Sequence, residues 1–165
     1  MRHLYACLVL LLPLTLAACG YSFGDKGHSV LQDEYRVLAI SGVDNPTTLT
    51  WLEPRIRKLL RDELTNRGTV TWTDDRRKAD ALIQITVERY YRPTAVEGSG
   101  DTTLRSNANF NFHATISSAL DDHVIWRSGS ISQNWPFFSG QETQADEEVT
   151  RLGIRRLADK MEQNY

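Results

Sequence analysis

The side chains with chemistry to offer are few. Four histidines are present, and three of them, His28, His113 and His123, lie beyond the first eighteen residues. Asp121-Asp122-His123 has the composition of an acid–base group, but Asp and His are also what a tight hairpin turn requires. No Gly-x-Ser-x-Gly elbow accompanies it, no cluster of His and acids has zinc-ligand spacing, and no glycine-rich phosphate loop follows a strand. Arg76-Arg77-Lys78 is flanked by Asp74, Asp75 and Asp80 and reads as a neutralised surface turn. Trp51, Trp72, Trp126 and Trp135 read as core or interface anchors. The expectation is a protein that is not an enzyme and carries no cofactor and no metal.

The one reactive position that stands out is a thiol. The only cysteines are Cys7 and Cys19, so the rest of the chain has no disulfide, thiol nucleophile or cysteine metal site. Arg2 and His3 open the chain, and an apolar stretch over residues 4–16 comes next. At thirteen residues it is shorter than the roughly 20 needed to cross a bilayer as a helix and fits a signal-peptide core. It closes on Leu16-Ala17-Ala18-Cys19, which resembles the lipobox of bacterial lipoproteins: a branched residue, two small ones, then the cysteine that is acylated. Cleavage there would leave Cys19 first. One acyl chain anchors a protein only marginally, whereas two or three hold it essentially permanently. Gly20 is next, where the inner-membrane retention signal has aspartate, so the expected destination is the outer membrane, with the domain on its periplasmic side.

Composition bounds the rest. The chain has 165 residues, 41% hydrophobic and 24% charged, with a mean hydropathy of -0.41. That suits one globular domain and excludes a multi-span membrane protein or a largely disordered chain. A net charge of -2 gives no global field to recruit nucleic acid. The division expected is a signal peptide over 1–18, a lipidated tether over 19–33, and a single domain over 34–165.

Periodicity supplies the elements. Residues 35–40 read as a strand and 41–48 as a loop, with Thr48 or Thr50 as a cap for the first helix. Leu52, Ile56, Leu59, Leu60 and Leu64 form the apolar stripe of that helix, which Gly68 ends. Residues 70–72 and 81–88 read as strands. The cleanest signal comes later, where Ala108, Phe110, Phe112, Ala114, Ile116 and Leu120 alternate with Asn109, Asn111, His113, Thr115 and Ser117. A period of 2 over that length predicts a strand with one face on a core and one face wet. A turn at Asp121-Asp122-His123 predicts a hairpin whose second arm reaches Trp135, with Gly129 a bulge and Pro136 the end. Residues 142–163 read as a second helix, acidic early and basic late, in keeping with the helix dipole. The order predicts an α+β two-layer sandwich, one mixed sheet of four to five strands with two helices packed on one face.

These features together resemble the LptE-type family of lipopolysaccharide-assembly outer-membrane lipoproteins. The resemblance rests on Cys19-Gly20-Tyr21-Ser22-Phe23-Gly24 after the anchor, Asn45-Pro46-Thr47 before the first helix, Ala79-Asp80-Ala81-Leu82-Ile83 opening a strand, and the long hairpin and final helix. It implies a sheet with two helices on one face. It also implies a plug and assembly factor for an LptD-type outer-membrane β-barrel that binds lipopolysaccharide during delivery. A family member uses a lysine near the start of the last helix for that ligand; here Ser139-Gly140-Gln141-Glu142-Thr143 has no basic residue, which makes the plug role the firmer one. A lipopolysaccharide binder needs Arg or Lys beside apolar groups, and Arg89, Arg92 and Arg105, with Tyr90 and Tyr91, bracket a loop containing Gly98 and Gly100. Glu97 and Asp101 in the same loop oppose an anion. A barrel lumen is polar, and Asn107, Asn109, Asn111, His113, Thr115 and Ser117, with Ser130 and Ser132, form a polar and almost uncharged face suited to it. The alternative is another envelope lipoprotein, such as a secretin pilot or an accessory subunit of a barrel-assembly machine.

Overall fold

The computed structural model describes residues 30–31, 33–97 and 103–162. The signal segment, Cys19, most of the tether and the loop with Gly98 and Gly100 lie outside the described residues. A 3-10 turn, Asp33–Tyr35, leads into strand β1, Val37–Asp44. Helix α1, Leu52–Arg67, precedes β2, Thr71–Trp72, and a 3-10 turn, Arg76–Lys78. Then come β3, Ala81–Tyr91, β4, Thr94–Glu97, and the sixteen-residue β5, Thr103–Ser118. Strands β6, Val124–Arg127, and β7, Ile131–Phe137, precede helix α2, Glu142–Glu162.

All seven strands belong to one mixed sheet. β1 runs parallel to β2 and β3, and every pairing of β5 is antiparallel. Ser117 pairs with Leu82 and with Val124, and Ser106 pairs with Thr94 and with Phe137. One residue has one neighbour on each side, so β3 and β4 lie end to end along one flank of β5 and β6 and β7 along the other. Seven strands therefore fill five positions across the sheet. The expected two-layer α+β architecture holds.

The core lies on one face. Leu52, Ile56, Leu60 and Leu64 of α1 and Val149, Ile154, Leu157 and Met161 of α2 pack with Leu38, Ile83, Ile85, Phe110, Phe112, Ala114 and Ile116 of the sheet. Each of these side chains larger than alanine contributes about 1.5–3 kcal/mol on burial. Phe110 and Phe112 stack at 4.4 Å between ring centroids, and α2 meets them with Gly153, where a Cβ would stand 2.9 Å from Phe110 Cδ1.

The two helices are parallel. Arg55 near the start of α1 donates to Thr150 Oγ1 at 2.7 Å and to the Glu147 carbonyl near the start of α2. At the other end Arg67 contacts Glu63, Asp159 and Glu162 at 2.6–2.7 Å. One guanidinium thus meets the negative ends of both helix dipoles, and these carboxylates hold its pKa above the ordinary arginine value despite partial burial.

Several boundaries differ from those the sequence predicts, each for a physical reason. β1 continues past Ile40 through a register shift to Asp44, because Ser41 and Gly42 occupy an irregularity in the strand and do not end it. Helix α1 has no side-chain cap: Trp51 precedes it, and Thr47 and Asn45 order the approach by bonds to one another and to Leu49. Pro136 lies within β7 and does not stop it; β7 is an edge strand, where a missing N–H is tolerated. Gly129, φ 64°, sits between β6 and β7 and splits the second arm. The free edge of that arm receives two bonds from α2, Arg156 to the Ser132 carbonyl at 3.1 Å and Lys160 to the Ser128 carbonyl at 2.9 Å.

Candidate functional site: the uncovered face of the sheet

Alternation along β5 turns Asn107, Asn109, Asn111, His113, Thr115 and Ser117 away from the helices, and all six are half-buried. The register extends this polar row sideways. Thr86, Arg89 and Tyr91 of β3 stand beside His113, Asn111 and Asn109, and Ser132 and Asn134 of β7 flank Asn111 and Asn109 on the other side. Ser132 donates to Asn111 Oδ1 at 2.8 Å, and Asn109 Nδ2 donates to the Asn107 carbonyl at 3.1 Å. The four expected face residues, Asn109, Asn111, His113 and Thr115, therefore share one surface. Ala39 and Leu82 break its polarity. Both are buried yet lie outside the core cluster, in register with Ser117.

Sequence reading missed an ionisable residue at the centre of this face. A register shift between Val87 and Arg89 makes Glu88 the extra residue of a bulge. Its carboxylate is held from both sides, by Ser130 Oγ at 2.8 Å and His113 Nδ1 at 2.9 Å. These bonds, Ser130 first, bring its pKa below the usual glutamate value. Alternation with Val87 already sets Glu88 on this side; what the residue pattern lacked was its two partners, and the bulge turns Arg89 and Tyr91 to the same face.

The three arginines do not converge. The Arg89 guanidinium lies 4.9 Å from the centroid of the Tyr91 ring on the uncovered face. Arg105 is exposed and pairs through its backbone with Val96, and alternation sets it on the side of Asn107. Arg92 turns the other way and reaches Asp146 of α2 at 3.5 Å.

Arg92 borders a second site, a cavity of about 380 Å³ at the start of both helices, lined by Trp51, Arg55, Thr143, Asp146 and Glu147. Tyr90 donates to Asp146 Oδ1 at 2.5 Å and meets Trp51 edge-on at 5.6 Å. Burial first, then the Asp146 carboxylate, pushes the Tyr90 pKa far up, so it stays a neutral donor. Glu142 is held below its ordinary value by backbone N–H groups at the helix start. The Asp146 carboxylate is thus taken up by Tyr90 and Arg92 of the same domain.

At the opposite end a cleft of about 490 Å³ lies between the Arg76–Lys78 turn, Tyr35 and the β5–β6 turn. Here Asp121 and His123 contact at 2.7 Å, and bonds from Ser118 and then His123 hold Asp121 at about 2. The pair closes the turn, whose Asp122 adopts φ 58°. Among the described residues no group of His, Cys, Asp and Glu could hold a metal ion, and no helix is long and apolar enough to cross a membrane.

No curated protein matches this chain in sequence. Among solved structures it is similar to the uncharacterized lipoprotein B from Nitrosomonas europaea, at 12% identity and a TM-score of 0.59, covering 82% of this chain and 87% of that one. It is also similar to the PelC dodecamer from Paraburkholderia phytofirmans, at 12% identity and a TM-score of 0.56, covering 84% and 95%. At such identities the likeness is one of fold. The family model "LptE: Lipopolysaccharide-assembly" matches residues 35–164, from the turn before β1 through α2, and this chain belongs to the LptE lipopolysaccharide-assembly family.

Proposed function

We propose that this protein is a non-catalytic lipoprotein of the outer-membrane lipopolysaccharide translocon, acylated at Cys19, that fills and helps to assemble an LptD-type β-barrel and contacts lipopolysaccharide. The observation that carries the reading is the uncovered face. Helices cover one side of the sheet, and on the other the central strand from Asn107 to Ser117 presents Asn, Thr, Ser and His without Lys or Glu, while the charges of this face, Glu88, Arg89, Arg105 and Arg127, stand on neighbouring strands or at its end. Such a surface suits the polar lumen of a barrel. Contact there removes water, and an unpaired charge would cost several kcal/mol. Glu88, the charge at the centre, is already bonded to His113 and Ser130. Arg89 and Arg105 supply guanidinium groups for lipid phosphates at the hairpin end of the same face.

Photoreactive residues at Asn109, Thr115 and Arg92 in the full chain test this. The first two should cross-link to one large β-barrel, identified by mass spectrometry, and Arg92, on the helix side, should do so less. Capture of a secretin or of a multi-lipoprotein complex would overturn the assignment. A Cys19→Ala variant should lose outer-membrane fractionation, and depletion of the protein should leave the barrel misassembled and surface lipopolysaccharide reduced.

A further inference from the structure

Val30 donates to the Met161 carbonyl near the end of α2 at 2.7 Å, and Leu31 is 5% exposed within the core. The chain's entry is thereby fixed to the end of the domain where both helices finish. The β5–β6 turn lies at that same end: Tyr35 meets His123 edge-on at 6.5 Å, the Ala119 N–H donates to the Asp80 carbonyl, and Asp80 accepts from the Val37 N–H. Ten residues separate Cys19 from Val30, which at about 3.5 Å each limits the acylated sulfur to about 40 Å from the entry point. The sixteen residues of β5 extend over about 53 Å. The leash is shorter than the sheet is long, so the domain cannot stand upright on its far end, and any leash short of full extension draws the entry end toward the bilayer.

The near end carries the most exposed large apolar side chain among the described residues, Leu120, at 94%, with Val124 behind it at 43%. The turn that presents it is ordered by the Ser118 hydroxyl accepting from the Leu120 N–H, the Asp122 N–H donating to the Ser118 carbonyl, and Arg76 paired with Asp122. Arg77 is likewise paired with Asp75, and Asp121 with His123, so the arginines beside Leu120 are engaged within this end of the domain.

We propose that Leu120, on the β5–β6 turn, and Val124, at the start of β6, seat this end of the domain in the surface of the bilayer that holds the acyl chains. The contact is apolar rather than electrostatic, because the basic residues beside it are already engaged by acids of the same end. This rests on the reading of Cys19 as the anchor, and the occupant is a lipid surface.

The test uses the full acylated chain reconstituted in vesicles of phosphatidylethanolamine with a minor fraction of phosphatidylglycerol. An environment-sensitive fluorophore is placed on Leu120→Cys and, at the far end, on Gln144→Cys, and spin-labelled lipids serve as quenchers. The probe at 120 should be quenched severalfold more than that at 144, with little change on adding salt. In a second pair, a probe on Val124→Cys should lose most of its quenching when Leu120→Asn is added; Leu120 is exposed, so the fold does not depend on it. Equal quenching at 120 and 144 on a chain whose mass shows an acylated Cys19 overturns this inference alone. A chain whose mass shows Cys19 unmodified removes the anchor and the seating together.

Discussion

The two faces of β5 differ by one residue of register and by their whole chemistry. Ala108, Phe110, Phe112, Ala114 and Ile116 are fully buried under the helices; Asn109, Asn111, His113 and Thr115 are half-buried, on the side that the helices leave open. Stability is concentrated on the first face, and the proposed recognition on the second. Changes to the two should therefore separate, one altering folding and the other altering partnership.

The sharpest way to break this contrast is Phe110→Ala. Removing a stacked, fully buried ring should cost about 3–5 kcal/mol, read by chemical denaturation, whereas Asn111→Ala one position along, which forfeits one bond from Ser132, should cost no more than about 1 kcal/mol and act chiefly on capture of the proposed partner barrel. Equal losses from the two would show that the faces are not distinct in their roles. Next comes Arg67→Met. It leaves Glu63, Asp159 and Glu162 without their shared cation where both helices end, and should lower stability by about 2 kcal/mol.

Gly153→Ala is smaller because two effects oppose. Alanine favours a helix by about 1 kcal/mol, but its Cβ would press on Phe110 and Phe112, and overpacking costs about 1–3 kcal/mol. A net loss of about 1 kcal/mol is expected, recovered when Phe110→Leu makes room; a stabilised Gly153→Ala would mean that the aromatic pair yields easily. The smallest effect belongs to the uncovered face and depends on pH. Because the folded Glu88 has a lowered pKa, its contribution is present above the unfolded glutamate value and lost as pH falls through the folded one. The difference in Tm between the natural chain and Glu88→Gln should therefore shrink as the solution is taken from neutral to strongly acidic, and a constant difference would separate Glu88 from its partners' hold.

How much of this was legible depended on whether the signal was local. The alternation over residues 108–118 and the leucine stripe of α1 are repeated patterns, and they gave both the strand with its two faces and the helix that covers one of them. Alternation put Glu88 on the polar side with Gln84 and Thr86, but its hold by His113 and Ser130 was not legible, since both partners come from strands and links paired beyond it. The separation of Arg92 from Arg89 was legible, since residues three apart in an extended chain face opposite ways, with Tyr90 buried and Tyr91 exposed between them; reading both as brackets of one loop passed over it. Turn composition alone also misread Ser41-Gly42 as a loop where a parallel neighbour carries the strand onward.

The bonds from Arg156 and Lys160 to the carbonyls of Ser132 and Ser128 have a consequence for how these molecules behave in company. An outermost strand with vacant carbonyls is an invitation for another copy to zip alongside, and from there to fibrous growth. Here a helix of the same chain has taken one of those acceptors, on Ser132 of β7, and a second, on Ser128, in the link beside it before any stranger arrives. That stretch of the border is obstructed by the helix lying over it, and a second copy adding there would first have to displace Arg156 and Lys160.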